Sequence, residues 1–245
     1  QWEATLHSGR WSMVTWPEQY GGRGLDLIEW LIFEEEYYRA DAPGRVNQNG
    51  VFLFGPTLME YGTPEQKARF LPRLASGADI WAQVWWSIAM ATAGFERGLM
   101  LRSPARFQRT AQRLVELYRR HADRCDPGIG ATVAQSWMDA EAYALATYMT
   151  ASRLIAGGSI GAEASLNKVF WSELDLAMHR AALGMLGARA ELRGAVSVGD
   201  AAAELDEVGR WMDGFLFSLA GPIYAGANEI QRNIIAERVL GMPKG

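Results

Sequence analysis

Helical periodicity, cut at short intervals by cap and stop signals, limits what this chain can fold into more than any other feature. Asp26 can cap a helix, and Glu29 stands three residues on to complete a capping box. Leu27, Trp30, Leu31, Glu34 and Tyr38 follow at helical spacing, with Glu34 the one polar intruder. Thr63-Pro64-Glu65-Gln66 repeats the start signal, with proline at the first helical position, and predicts a helix running to about Gly77. Only the stretch from Asp79 to Trp86 reads otherwise. There Trp81, Val84, Trp85 and Trp86 suit an extended segment. Ala89, Thr92, Ala93, Glu96 and Met100 then share a helical face, and Ser103-Pro104 should break or kink that helix. Phe107, Ala111, Leu114, Val115 and Tyr118 form the next stripe. Asp126-Pro127-Gly128 is a turn. Further helices are expected from about Ile129 to Ile155, ended by Gly157-Gly158, then over Ala162 to Leu186 and Leu205 to Leu219. Asn228 is expected to cap the last helix, with Gln231 three residues later and Gly241 beyond its end. The second half therefore reads as long antiparallel helices with short connections, a helix bundle.

The chain has 245 residues, 49% of them apolar and ten of them tryptophan, enough for one large or two medium domains and against disorder. Its net charge is −4, with no Lys/Arg cluster on one predicted face, so sequence-independent nucleic-acid binding is not expected. Cys125 is the only cysteine, which excludes an intrachain disulfide and a thiolate zinc cage. His7, His121 and His179 match no metal spacing, so no metal site is expected. No apolar run is long enough to span a bilayer and no signal peptide is visible, which makes the cytoplasm the default compartment. The sequence opens at Gln1 rather than at a methionine.

Few residues stand out for chemistry. Glu96 has Thr92, Ala93, Leu99 and Met100 about one turn away, so its carboxylate can face an apolar environment. Burial there would raise its pKa and suit a general base. On spacing alone, a solvated Glu96-Arg97 pair is the commoner arrangement. Gly221-Pro222-Ile223-Tyr224-Ala225-Gly226-Ala227-Asn228 is a tight turn feeding a helix, where exposed amides favour anions; a plain helix start has the same pattern. Trp81, Trp85 and Trp86 can stack on a planar cofactor or fill a core.

Trp16-Pro17-Glu18-Gln19-Tyr20-Gly21-Gly22-Arg23-Gly24 and Tyr61-Gly62-Thr63-Pro64-Glu65-Gln66-Lys67 resemble the N-terminal helical domain of acyl-CoA dehydrogenases. Gly94-Phe95-Glu96-Arg97-Gly98 is similar to the opening helix of their C-terminal domain. Ile223 to Arg232, ahead of Ala236-Glu237-Arg238, is similar to their closing motif. The resemblance implies an all-α chain as given: an N-terminal helical domain over 1–85 and a C-terminal four-helix bundle over 86–245. The family's middle β domain is missing between them. Trp81-Ala82-Gln83-Val84-Trp85 resembles the lead-in to the flavin loop, but Trp86-Ser87-Ile88-Ala89 follows where Ser-Glu-Pro should. Omission of residues at this join is favoured over a genuine deletion, because excision would bare apolar surface on both helical domains. If so, Trp85 and Trp86 should lie farther apart than the about 3.8 Å of one peptide unit.

The resemblance further implies α,β-dehydrogenation of an acyl-CoA thioester, bound FAD, and reoxidation by an electron-transfer flavoprotein. In many members the base lies between Tyr and Gly of the closing motif, a place taken here by Ala225. A second subgroup carries it on the first bundle helix before an Arg, and Glu96 occupies that place. The implied catalytic groups are Glu96 and the Ala225 backbone amide. Gln83, Val84, Trp85, Gly226, Ala227 and Glu229 would hold FAD, and Arg97 and Tyr224 the substrate. Two motifs depart from the family. Arg120-His121-Ala122-Asp123-Arg124-Cys125-Asp126-Pro127 lacks the family's Arg-x-x-Phe-Gly, and Leu186-Gly187-Ala188-Arg189-Ala190 replaces Gly-Gly-x-Gly. Both belong to the half of the FAD site that a neighbouring subunit supplies. A tetramer is therefore expected, with an α₂β₂ assembly beside a homologous chain favoured over a homotetramer in which Arg120 or Arg124 reaches the phosphates. The rival reading is a catalytically silent scaffold that stabilises an active partner.

Overall fold

The computed structural model describes residues 1–81, 102–191 and 200–244. Those residues are helical, without a strand among them, as the capping and periodicity imply. They fall into two compact units, Gln1–Ala105 with Tyr148–Ser159, and Arg106–Thr147 with Ile160–Gly245.

In the first unit, helices α1 (Trp2–Ser8), α2 (Leu27–Arg39), α3 (Gly55–Tyr61) and α4 (Pro64–Ala75) form. Both expected capping boxes close. The Glu29 N–H donates to Asp26 Oδ1 at 2.8 Å and the Asp26 N–H to Glu29 Oε2 at 2.9 Å. Thr63 and Gln66 make the same exchange at the head of α4. Trp30 and Leu31 of α2 pack with Val14 and Ala151. Gly22 explains part of the Trp16–Gly24 motif, because a Cβ there would lie 2.0 Å from the Trp16 carbonyl oxygen. The polar intruder Glu34 is buried, and burial pushes its carboxyl up to about 7, against weaker lowering influences from the Ser103 hydroxyl and Arg45. Arg45 itself is committed elsewhere, to Glu3 at 3.0 Å and to the Ser12 carbonyl at 2.7 Å.

The segment leading out of α4 is clamped. Asn47 is buried; its amide donates to the Asp79 carbonyl at 2.8 Å, and its Oδ1 accepts from the Trp81 N–H at 3.1 Å. The Trp81 ring lies parallel to Phe54 at 4.2 Å and edge-on to Phe70 at 5.5 Å. The chain is thus fixed just before Gln83.

The second unit is built from α5 (Pro104–His121), α6 (Ile129–Ile155), α7 (Ala164–Leu186), α8 (Asp200–Ser218) and the short α9 (Asn228–Ile234). Only α6 as far as Thr147 belongs to it, and α5 from Arg106. Phe107, Ala111 and Leu114 of the predicted stripe are buried, with Leu117 completing it. They meet Tyr143, Trp171, Met178 and Trp211 in one core. A polar cluster lies inside the bundle: Arg106 reaches Asp175 at 3.0 Å, and His179 stands edge-on to Trp211. After α7, Gly187–Glu191 form a 3-10 turn whose Ala190 is buried in the core.

Candidate functional site

The candidate site's described half is the turn between α8 and α9. It starts as a tight coil: the N–H groups of Ile223 and Tyr224 both donate to the Ala220 carbonyl, at 3.0 and 3.1 Å. The Asn228 N–H donates back to the Pro222 carbonyl at 2.9 Å and closes the loop. Between these points the backbone turns left-handed twice, at Ala225 (φ 56°) and Gly226 (φ 86°). A left-handed conformation at a residue with a Cβ costs about 1–2 kcal/mol, so Ala225 is held there by its surroundings. Among the described residues, the N–H groups of Ala225, Gly226 and Ala227 have no protein acceptor. Tyr224 packs its half-buried ring on Trp171 at 5.8 Å. Glu229 is exposed.

Two buried side chains hold this turn from beneath. Asn228 does not cap α9, contrary to the expectation from its position. Ala227 is the N-cap, without a side-chain bond, and the Asn228 side chain turns into the bundle toward α7. There Lys168 Nζ donates to Asn228 Oδ1 at 2.5 Å, and the Asn228 amide donates to Ser172 Oγ at 3.1 Å and to Glu173 Oε1 at 3.2 Å. Burial pushes the Lys168 ammonium down, and the nearby carboxylates of Glu229 and Glu173 partly oppose this.

Gln231 likewise forms no capping box. It is fully buried, and its Nε2 donates to the carbonyls of Ala225 at 3.0 Å and Gly226 at 3.4 Å. Two carbonyl acceptors fix which end of the amide faces them. The Oε1 then lies buried with no hydrogen-bond partner among the described residues, a deficit costing about 1–3 kcal/mol. A Cβ at Gly226 would come within 2.4 Å of Gln231 Nε2, so the close approach also demands glycine.

Of the residues expected from sequence, Tyr224, Ala225, Gly226, Ala227 and Glu229 come together on this one turn. Gln83, Val84, Trp85, Glu96 and Arg97, and the Trp85–Trp86 join, lie outside the described residues. Lys168, Ser172 and Gln231 were not expected at the site. The only sequence signal for the first two is their i, i+4 spacing on α7, which does not say what that face meets. Arg120 and Arg124, which a homotetramer would bring to the phosphates, each stand beside a carboxylate at the exposed surface. Arg120 pairs with Glu207 at 2.5 Å and Arg124 with Asp123 at 3.6 Å. No group of three potential metal ligands occurs among the described residues.

Residues 3–78 match the model of the acyl-CoA dehydrogenase N-terminal domain, and residues 86–240 that of the acyl-CoA dehydrogenase C-terminal domain. The chain belongs to the acyl-CoA dehydrogenase family. Acyl-CoA dehydrogenase IpdE1 of Mycobacterium tuberculosis is 28% identical over an alignment of 352 residues, covering 99% of this chain and 88% of the relative. IpdE1 of Mycolicibacterium smegmatis is 27% identical over 362 residues with the same coverage. Both alignments exceed the 245 residues of this chain, so a long internal stretch of these acyl-CoA dehydrogenases has no counterpart here. The two family matches leave residues 79–85 between them. Among solved structures, the fold is similar to the Tcur3481-Tcur3483 steroid ACAD (TM-score 0.75, 19% identity, 99% of this chain and 88% of that one). It is also similar to the ChsE4-ChsE5 complex from Mycobacterium tuberculosis (TM-score 0.73, 22% identity, 99% and 89%). As in other acyl-CoA dehydrogenases, the architecture is an N-terminal and a C-terminal helical domain. No described helix is long and apolar enough to cross a membrane.

Proposed function

We propose that this chain is the acyl-CoA-binding, base-bearing subunit of an FAD-dependent acyl-CoA dehydrogenase. The observation that carries the reading is the closing turn, where three successive amides stand without a protein acceptor among the described residues, over two buried side chains that hold the turn's shape. Amides fixed in this way suit a carbonyl oxygen that gains negative charge as the adjacent carbon loses a proton. Glu96 removes that α-proton, and the Ala225 amide donates to the thioester oxygen. Arg97 and Tyr224 hold the acyl-CoA. Gln83, Val84, Trp85, Gly226, Ala227 and Glu229 would hold FAD, which would supply the hydride acceptor, with an electron-transfer flavoprotein as the onward partner. The open amides fit electron-rich oxygens of such ligands; the exposed Glu229 carboxylate does not favour a phosphate beside it. The substrate class is an acyl-CoA of fatty or steroid side-chain breakdown. The domain limits are 1–85 and 86–245, with the β domain of the full-length protein inserted at the join.

The assembly is an α₂β₂ heterotetramer with a homologous chain. Three features support it. Arg120 and Arg124 already have carboxylate partners. The place of the family's glycine stretch is taken by a packed 3-10 turn. Trp137, Met138 and Leu145 leave apolar surface on α6, between 45% and 67% exposed, where a homologous bundle can pack. The similar steroid ACAD and ChsE4-ChsE5 structures each carry two chain names. A second reading, a silent scaffold beside an active partner, draws on the same features.

Full-length protein expressed with and without a neighbouring homologue separates these readings. The active-subunit reading expects yellow, partner-dependent protein that acyl-CoA bleaches, and a Glu96→Gln variant slower by about 10²–10⁴-fold. Near-normal turnover of Glu96→Gln would leave the scaffold reading standing. One tightly held FAD per chain in a homo-oligomer would refute the heteromer.

A further inference from the structure

We infer that Gln231 is the positioning residue of the closing turn: by taking the carbonyls of Ala225 and Gly226, it aims the N–H groups of Gly226 and Ala227 at an electron-rich oxygen of a bound ligand. The inference rests on the proposed ligand class but not on Glu96 or on turnover.

A trans peptide is planar, with its C=O and N–H pointing in opposite directions. The Ala225 carbonyl points at Gln231 Nε2, so the N–H of the same peptide, on Gly226, points away from it. The Gly226 carbonyl does the same at longer range, which turns the Ala227 N–H away as well. Two successive N–H groups turned away from Gln231 offer a pair of donors to an anion or a polarised carbonyl. The arrangement needs a doubly donating side chain in the position of Gln231. Leucine or methionine would fill the same space and leave both carbonyls unpaired. A carboxylate would repel them. The unsatisfied Oε1 is consistent with this assignment. Among the described residues, Gln231 keeps a buried acceptor without a partner, which a purely space-filling role does not require. Asn228, tied to Lys168 and Ser172, anchors the far side of the turn so that Gln231 acts on a fixed loop.

The ligand oxygen can come from the flavin cofactor or from the acyl-CoA thioester, and the test separates them. In the full-length protein with its partner, amide hydrogen exchange at Gly226 and Ala227 is followed without ligand, with FAD, and with an acyl-CoA thioester whose β-carbon is replaced by sulfur, which keeps the thioester oxygen and has no β-hydride to give. Both amides should exchange rapidly without ligand. One of the two ligands should protect them by at least about tenfold, the size of one good hydrogen bond. Protection by FAD assigns the flavin, and added protection by the thioester analogue assigns the acyl-CoA. Gln231→Met should abolish the protection and weaken that same ligand by about tenfold. Gln231→Glu should regain part of it on acidification, because a protonated carboxyl can donate to one carbonyl. Absence of protection by either ligand in the unaltered protein overturns the inference, as does protection that survives in a folded Gln231→Met. An inactive enzyme whose Gly226 and Ala227 amides are still protected by FAD would sink the dehydrogenation reading while leaving this one intact.

Discussion

Glu34 of the first unit and Lys168 of the second are both buried ionisable side chains, and they are accommodated in opposite ways. Glu34, in the first unit, has no dedicated counter-charge among the described residues. Arg45 is near, but it is committed to Glu3 and the Ser12 carbonyl, so burial dominates and the carboxyl rises to about 7. Lys168, in the second unit, has a short hydrogen bond to Asn228 and two carboxylates nearby, which partly offset its burial. The contrast teaches that burial alone does not mark a functional charge. Glu34 can shed its charge near neutrality at little structural consequence, whereas the Lys168 ammonium is built into the support of the closing turn.

The largest expected effect comes from breaking the partnered charge. Asn228→Ala leaves the Lys168 ammonium buried without its acceptor, and stranding a buried charged donor costs more than the about 1–3 kcal/mol of a neutral one. Chemical denaturation should show that loss; a change under 1 kcal/mol would mean the ammonium reaches water and the contrast is false.

The unpartnered charge should announce itself in the pH dependence of stability. Below about 4.5 Glu34 is protonated whether the chain is folded or not, and contributes nothing. Between 4.5 and about 7 the unfolded chain ionises while the folded one keeps its proton, so stability falls as pH rises. The full penalty, about 3 kcal/mol, is reached above the folded pKa. Glu34→Gln should remove this slope, matching the unaltered protein at pH 4 and exceeding it at pH 8. Parallel pH profiles for the two proteins would show that Glu34 ionises freely.

A smaller effect is expected when the partnered charge is removed together with its burial cost. Lys168→Met keeps the stem and loses the ammonium, so the lost hydrogen bond and the recovered desolvation oppose each other. A net change of about 1 kcal/mol is expected, well under that of Asn228→Ala. In the unaltered protein the depressed Lys168 pKa has the opposite sign to Glu34. Stability gains as pH rises from the folded pKa toward the unfolded 10.5, and Lys168→Met should lack that gain. A Lys168→Met loss as large as that of Asn228→Ala would mean the ammonium itself, rather than its pairing, holds the turn.

What the sequence determined by itself is whatever a few neighbouring residues decide. The capping boxes of α2 and α4 formed as read, because both partners stand three residues apart on one backbone turn. Helix α6 runs from Ile129 to Ile155 as expected, because Gly157 supplies the left-handed residue (φ 85°) beyond its end. The turn Gly221–Asn228 was legible too, with Ala225 in the place where a base is absent. What only the tertiary structure decided is which way its polar side chains face. Asn228 and Gln231 carry a start signal identical to the real boxes, yet neither caps α9. Asn228 instead bonds Lys168, 60 residues away, and Gln231 folds under its own turn. A buried amide must find partners wherever the packing provides them. Here α7 offered an ammonium and a hydroxyl at close range, a competition between local and distant hydrogen bonds that spacing along one chain cannot express.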